Sequence, residues 1–187
     1  MKFHVVENQK EAEYYFNLLV EHKSKKYRET SAFNIFSDKQ FYNFYNNIIN
    51  VKKYGYFSQF SILTLNKEVI ALHMGFYSDD IFYYILPSYN SNYFKYSPGR
   101  ILLDYLVEWS FKKKIRVFDF CLGAEKYKSD WTNDTMKISE FIKVRNIKGL
   151  IYFIYMKILF YLKKIYKNSL ILKKIIPSES SIIKKIL

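Results

Sequence analysis

Apolar positions along this chain recur with two different periods, and the switches between them mark its elements. Residues 2–6 (KFHVV) are short and apolar enough for an opening strand, and Ala12, Phe16, Leu19 and Val20 then recur at helical spacing between Gln9 and Tyr27. Ser37 precedes Gln40 by three, the spacing of a capping box, and Phe41, Phe44, Tyr45 and Ile48 follow on one face. That pattern predicts a second helix before Gly55. Residues 57–65, 69–77 and 81–86 read as three successive strands joined by tight turns at Asn66 and Lys67 and at Asp79 and Asp80, an antiparallel meander.

Ser97, Pro98, Gly99 and Arg100 read as a helix start, with Ser as N-cap and Pro at the first helical position. Leu102, Tyr105, Leu106 and Trp109 supply the buried face, and Lys112 to Lys114 suit the negative end of the helix dipole. Residues 115–122 follow as an apolar strand closed by Gly123. A helix joining two strands predicts parallel, right-handed packing. A short helical segment over 125–132 and a last strand over 136–144 complete the order. The expected architecture is α/β: a mixed central sheet flanked by helices over residues 1–147, with a basic, apolar-rich helical tail over 148–187.

The 187 residues suit one ordinary domain, and half of them are apolar, which excludes the disordered classes. A net charge of +13 suggests nucleic acid until it is divided along the chain. Residues 143–187 hold eleven Lys and Arg against the single acid Glu179, leaving nineteen basic and sixteen acidic residues before them. The body is nearly balanced and the tail carries the charge. Cys121 is the one cysteine, so no internal disulfide is available, and Met1 is followed by Lys2, Phe3 and His4 rather than an apolar signal core. A cytoplasmic protein is expected. The three histidines and one cysteine offer no metal-ligand spacing, so no metal is expected. His73, within ALHMGF, reads either as a groove-lining residue or as a hydrogen-bonded core residue. Neither a Gly-x-Ser-x-Gly elbow nor a P-loop is present.

The segment GLIYFIYMKILFYL (149–162) is apolar except for Lys157 and falls short of the roughly 20 residues that span a bilayer. Two readings stand. It lies on an anionic membrane surface, with Lys163, Lys164, Lys167, Lys173 and Lys174 facing the lipid headgroups, or it packs as a terminal helix on the sheet or another subunit.

The stretches EVIALHMGFYSDDIFYYI (68–85), YSPGRILLDYLVEWSF (96–111) and FDFCLGAEKYKSDWTN (118–133), taken with the element order, resemble the GNAT acyltransferases, and within them the CelD-like and FemAB-like branch. The resemblance covers roughly residues 1–145 and rests on the joint order of the motifs. Members of that branch often carry a second GNAT-like half upstream, so a partner chain or a second copy is a further expectation.

The resemblance implies transfer of an acetyl or other acyl group from acyl-CoA to an amine, a small molecule or a glycan precursor such as an amino sugar used in cell-surface polysaccharide synthesis. It places the pyrophosphate at Ser97, Gly99, Arg100 and Ile101, where a helix N-terminus offers backbone N–H groups. The alternative at those residues is a helix start that binds nothing. The oxyanion donor is expected on the strand near Tyr84 and Ile85, where it parts from residues 115–122. Asp119, among Phe118, Phe120 and Cys121, is the first candidate base if burial raises its pKa. Its alternative role is to cap the turn or pair with Lys128 or Arg116. Glu125 is the second candidate base, Tyr127 a proton donor to the thiolate, and Lys128 a group that orients a carboxylate or binds an anionic substrate. Two rival functions remain: FemAB-like aminoacyl transfer from tRNA, with the tail on RNA, and a non-catalytic, membrane-associated binding module.

Overall fold

The computed structural model describes residues 1–49, 52–53, 55–123, 125–169 and 175. They divide into two compact units, one of Met1–Arg28 with Ile35–Ala124 and one of Glu29–Asn34 with Glu125–Leu187.

The first unit is built on β1 (Lys2–Val6), α1 (Gln9–Glu29, whose last residue falls in the second unit), α2 (Lys39–Ile48), β2 (Lys52–Lys53), β3 (Tyr56–Leu65), β4 (Glu68–Tyr77), β5 (Ile81–Tyr89), α3 (Pro98–Lys112) and β6 (Val117–Asp119). The sheet runs in the order β1-β3-β4-β5-β6, with β2 also paired to β3. Every pairing is antiparallel except β5 with β6, which is parallel, as expected for strands joined through a helix. Helices α1 and α2 cover one face. There Phe16, Leu19, Phe36, Phe60, Leu72 and Met74 form a continuous apolar cluster that removes this face from water. The other face meets α3, whose Leu102, Leu103 and Leu106 are buried, while Trp109 packs edge-on against Tyr77 and Phe82.

Three local expectations are corrected. Asp38, not Ser37, caps α2: its carboxylate accepts the Gln40 N–H at 2.7 Å, and an ionised acceptor makes the stronger cap. The buried side of α2 is consequently Tyr42, Tyr45 and Ile48, while Phe41 and Phe44 are exposed. The last apolar strand shrinks to three residues because its flanks are engaged elsewhere. Arg116 and Val117 donate their N–H groups to the Asp80 carbonyl, and after Asp119 the backbone turns left-handed at Cys121.

Strands β4 and β5 hold the main irregularity of the sheet. Met74 pairs with Leu86 and Phe76 with Tyr83, so Tyr84 and Ile85 together oppose Gly75. This is a β-bulge, one extra residue that bends β5 and re-aims its backbone. A Cβ on Gly75 would lie 2.4 Å from the Tyr83 carbonyl oxygen and 2.5 Å from His73 Cε1. The imidazole occupies the space that glycine leaves and stacks on Tyr84, with centroids 4.5 Å apart and planes within 5°. His73 is therefore fully buried, and neither of its nitrogens has a hydrogen-bond partner. Both sequence readings of His73 are thereby replaced: it neither lines a groove nor hydrogen-bonds in the core. Gln59 and Ser61 are likewise buried with polar side-chain atoms that have no partner, and Ser61 pairs directly across from His73.

The second unit holds a 3-10 turn (Lys126–Asp130), residues 133–145 without regular secondary structure, and α4 (Ile147–Asn168). The strand expected over 136–144 is absent: its alternation breaks at the adjacent Phe141 and Ile142, so it offers no single apolar face, and Met136, Ile138 and Phe141 are exposed. Helix α4 is capped by Asn146, whose side-chain oxygen accepts the Gly149 N–H at 2.8 Å. No described helix is long and apolar enough to cross a membrane.

Two outcomes follow from the bulge. Gly75→Ala forces a methyl into backbone, and overpacking of this kind costs about 1–3 kcal/mol, so its urea midpoint should fall clearly below that of the unmodified protein. An unchanged midpoint would contradict the close approach of β5. Burial, with the Lys23 charge adding to it, lowers the His73 pKa from 6.5 to about 3. The unfolded chain then binds a proton that the folded chain refuses, so this contribution is complete above pH 6.5 and is lost as pH falls toward about 3. His73→Phe, which keeps a flat ring on Tyr84, should show a shallower loss of urea stability between about pH 6 and pH 4. Parallel curves for the two proteins would refute a neutral, desolvated His73.

Candidate active site

The parallel pairing of β5 with β6 is short. Ile81, Phe82 and Tyr83 face Val117, Phe118 and Asp119, and Tyr83 with Asp119 is the last pair. The bulge residues Tyr84 and Ile85 come next on β5, so the strand bends where its neighbour stops. Their side chains point away from the edge: Tyr84 is buried against His73, Phe118 and Phe120, and Ile85 packs on the cluster under α1 and α2. A bulge turns backbone groups out of the regular ladder, and an oxyanion donor is a backbone N–H held so before any ligand arrives.

Helix α3 begins at the other end of the same strand. Pro98 occupies its first turn, as expected, but Ser97 is left-handed (φ 51°) and its hydroxyl makes no cap. The Ser97 N–H instead closes the preceding 3-10 turn (Ser91–Tyr96) on Phe94. The Ser97 carbonyl takes the N–H groups of Arg100 and Ile101, at 2.9 and 3.2 Å. Of the three expected pyrophosphate donors, these two are therefore engaged within the helix, and Gly99 is left. Gly99 is half-buried, and a Cβ there would meet only Tyr89 Cδ1, at 3.4 Å, so space lies over its backbone. Arg100 is exposed beside it.

Sequence reasoning missed Lys26. It lies on α1, yet its ammonium donates to the Tyr89 hydroxyl at 2.8 Å and stands 5.8 Å from the Phe94 ring. Tyr89 lies against Gly99, and Lys95 and Arg100 stand in the turn before α3 and in its first turn. Three cations and the positive end of a helix dipole make this corner suited to a polyanion such as the diphosphate of coenzyme A. No signal in the sequence marks Lys26, since its position follows from the packing of α1.

The acid and base candidates fall in both units. In the first, Asp119 is exposed, and the burial expected from its apolar neighbours in sequence is absent. Its Oδ1 accepts the Cys121 N–H at 2.6 Å, so it organises the turn after β6. Neither expected ion pair of Asp119 forms: Arg116 lies 3.7 Å from Asp80, and Lys128 pairs with Glu125 at 2.8 Å. In the second unit, Glu125, Tyr127 and Lys128 share one 3-10 turn. Lys128 is nearly buried and holds the half-exposed Glu125 carboxylate. Burial, and secondarily the Glu125 charge, raises the Tyr127 pKa, so its hydroxyl keeps its proton and can act as a donor. Among the described residues, no group of three or more His, Cys, Asp and Glu could hold a metal ion.

Comparison with known proteins agrees with this geometry. Residues 1–129 match the family model described as an acetyltransferase (GNAT) domain. Among solved structures, a possible acetyltransferase from Clostridium difficile 630 superposes with a TM-score of 0.56, at 10% identity, over 78% of this chain and 100% of that one. The ribosomal-protein-alanine N-acetyltransferase from Brucella melitensis biovar Abortus 2308 gives 0.50 at 6% identity, over 78% of this chain and 100% of its own. No curated protein sequence matches the chain. The family match spans more than two thirds of the sequence, and the chain belongs to the GNAT acetyltransferase family.

Proposed function

We propose that the protein transfers an acetyl group from acetyl-CoA to a primary amine carried by an amino sugar of a cell-surface glycan precursor, at the inner face of a membrane. The observation that carries the donor half is the opening of the sheet after Tyr83 and Asp119, with the glycine-bearing start of α3 and three cations at its far end. In this reading the thioester lies along β5 and the diphosphate rests near Gly99, Arg100 and Lys26. The choice of acceptor draws on the likeness of YSPG and DFCLGAEKYK to the CelD-like and FemAB-like proteins.

The chemistry balances as follows. The neutral amine attacks the thioester carbonyl and forms a C–N bond, and the carbonyl oxygen becomes an oxyanion that a β5 backbone N–H stabilises. The tetrahedral species then collapses with loss of the C–S bond. The amine proton passes to a carboxylate, for which we assign Asp119, because sheet register places it in the last pair before the opening. The departing thiolate takes up a proton, a role that the family resemblance gives to Tyr127, whose raised pKa keeps its hydroxyl protonated.

Calorimetry with acetyl-CoA tests the donor half. The intact chain should bind, and Gly99→Glu, which fits the open space but sets a carboxylate against the diphosphate, should weaken binding by about tenfold or more. Undiminished binding by the variant would remove the diphosphate from α3. Absence of binding by the intact chain, together with strongly salt-dependent tRNA binding, would replace acyl-CoA with an aminoacyl-tRNA donor. For the base, Asp119→Asn should lower kcat by about a hundredfold or more toward an amino-sugar acceptor while acetyl-CoA affinity stays unchanged, and Glu125→Gln should do less. The reverse ranking would transfer the role to Glu125.

A further inference from the structure

We infer that α4 is an interfacial anchor that lies along an anionic lipid surface with its lysine-free face in the acyl region. Ile147, Ile151, Ile154, Ile158, Tyr161 and Ile165 recur at alternating spacings of four and three and therefore share one side of the helix. All six are between 40% and 72% exposed, so nothing within the described protein covers them. A soluble helix would bury such a face.

The charges say what covers it. Lys148, Lys157, Lys163 and Lys164 fall within roughly half of the helix circumference, and the apolar residues have the other half to themselves. No acidic residue stands between Glu140 and Glu179, while Lys143 and Arg145 precede the helix. A surface so exclusively basic is matched by negative headgroups, each lysine near the surface adding to the attraction. The flanking Lys157 reaches back over the Phe153 ring, 5.4 Å from its centroid, in the manner of a side chain that lays its stem on apolar surface and keeps its charge at the edge.

A second copy of the chain is the competing occupant. Two features weigh against it: the uncharged face is wider than a coiled-coil seam, and pairing two helices with no acid between them sets lysine against lysine. The helix does not cross the bilayer, since no described helix is long and apolar enough. It lies in the plane of the interface. The membrane location in the proposed function rests on this anchor, whereas acetyl-CoA binding is read out separately, so failure of the one is distinguishable from failure of the other.

Flotation of the full chain with vesicles tests the anchor. Phosphatidylcholine vesicles containing about a third phosphatidylglycerol should carry the protein upward, and pure phosphatidylcholine should carry at least about fivefold less. The triple variant Ile151→Gln, Ile154→Gln and Ile158→Gln, which retains good helix formers, should lose most of the flotation while still binding acetyl-CoA. Lys157→Gln with Lys164→Gln should weaken flotation at low salt and leave what remains less sensitive to added salt. Flotation indifferent to lipid charge, or unchanged in the isoleucine variant, would overturn the proposal. So would light scattering that showed a dimer dissociated by the same isoleucine substitutions without any flotation.

Discussion

One extra residue in β5, admitted because Gly75 has no side chain, sets the geometry on which the rest of the first unit depends. The Tyr83 carbonyl stands where a Cβ would be, and the His73 ring fills the remaining space and lies flat on Tyr84. With that ring clamped, the backbone at Tyr84 and Ile85 cannot relax into a regular ladder, and the pairing with β6 ends one residue earlier, at Tyr83. The opening between the two strands therefore has two sides, the bulge in β5 and the left-handed turn at Cys121 that ends β6. Buried polar atoms accompany it: each such group without a partner costs about 1–3 kcal/mol, and Gln59, Ser61 and His73 cluster on neighbouring strands. The apolar clusters on both faces offset that cost, so a locally unfavourable strip persists beside the working edge of the sheet.

Electrostatics divides the chain along different lines from hydrophobic packing. The cations of the proposed diphosphate site, Lys26, Lys95 and Arg100, belong to three elements of the first unit, whereas most of the net positive charge belongs to residues 143–187. A composition-level reading sees one basic protein. The structure separates a compact cationic corner, where a helix dipole adds to side-chain charge, from a long basic helix with no internal counter-charge.

What was legible in the sequence was whatever a local pattern dictates. The opening strand, both N-terminal helices, the three-strand meander and the helix after Pro98 lie where periodicity and turn chemistry place them, and the parallel strand after that helix keeps only Val117–Asp119 of the expected 115–122. What was not legible depended on partners distant in sequence or on competition between near neighbours. Ser37 and Asp38 both suit a cap, and the ionised side chain prevailed. Ser97 has the composition of an N-cap but the backbone of a turn terminator, because the 3-10 turn before it claims its N–H. Asp119 sits among three apolar residues in sequence and is nonetheless exposed, since an edge strand of three residues buries only one of its sides. Lys26 carries no local mark at all.

The same distinction bears on the proposed base. A carboxylate that takes a proton during the reaction must be held within a fraction of an ångström of its working position, which favours groups fixed by regular structure over groups fixed by a turn. Asp119 is placed by the register of a parallel pair, with one oxygen tied to the Cys121 N–H and the other left to accept. Glu125 is placed by a single 3-10 turn and shares its charge with Lys128. On geometric grounds the first is the better-positioned acceptor and the second is better suited to keeping Lys128 and Tyr127 in order. Exposure is compatible with that proposed role, because an incoming amine must reach the carboxylate.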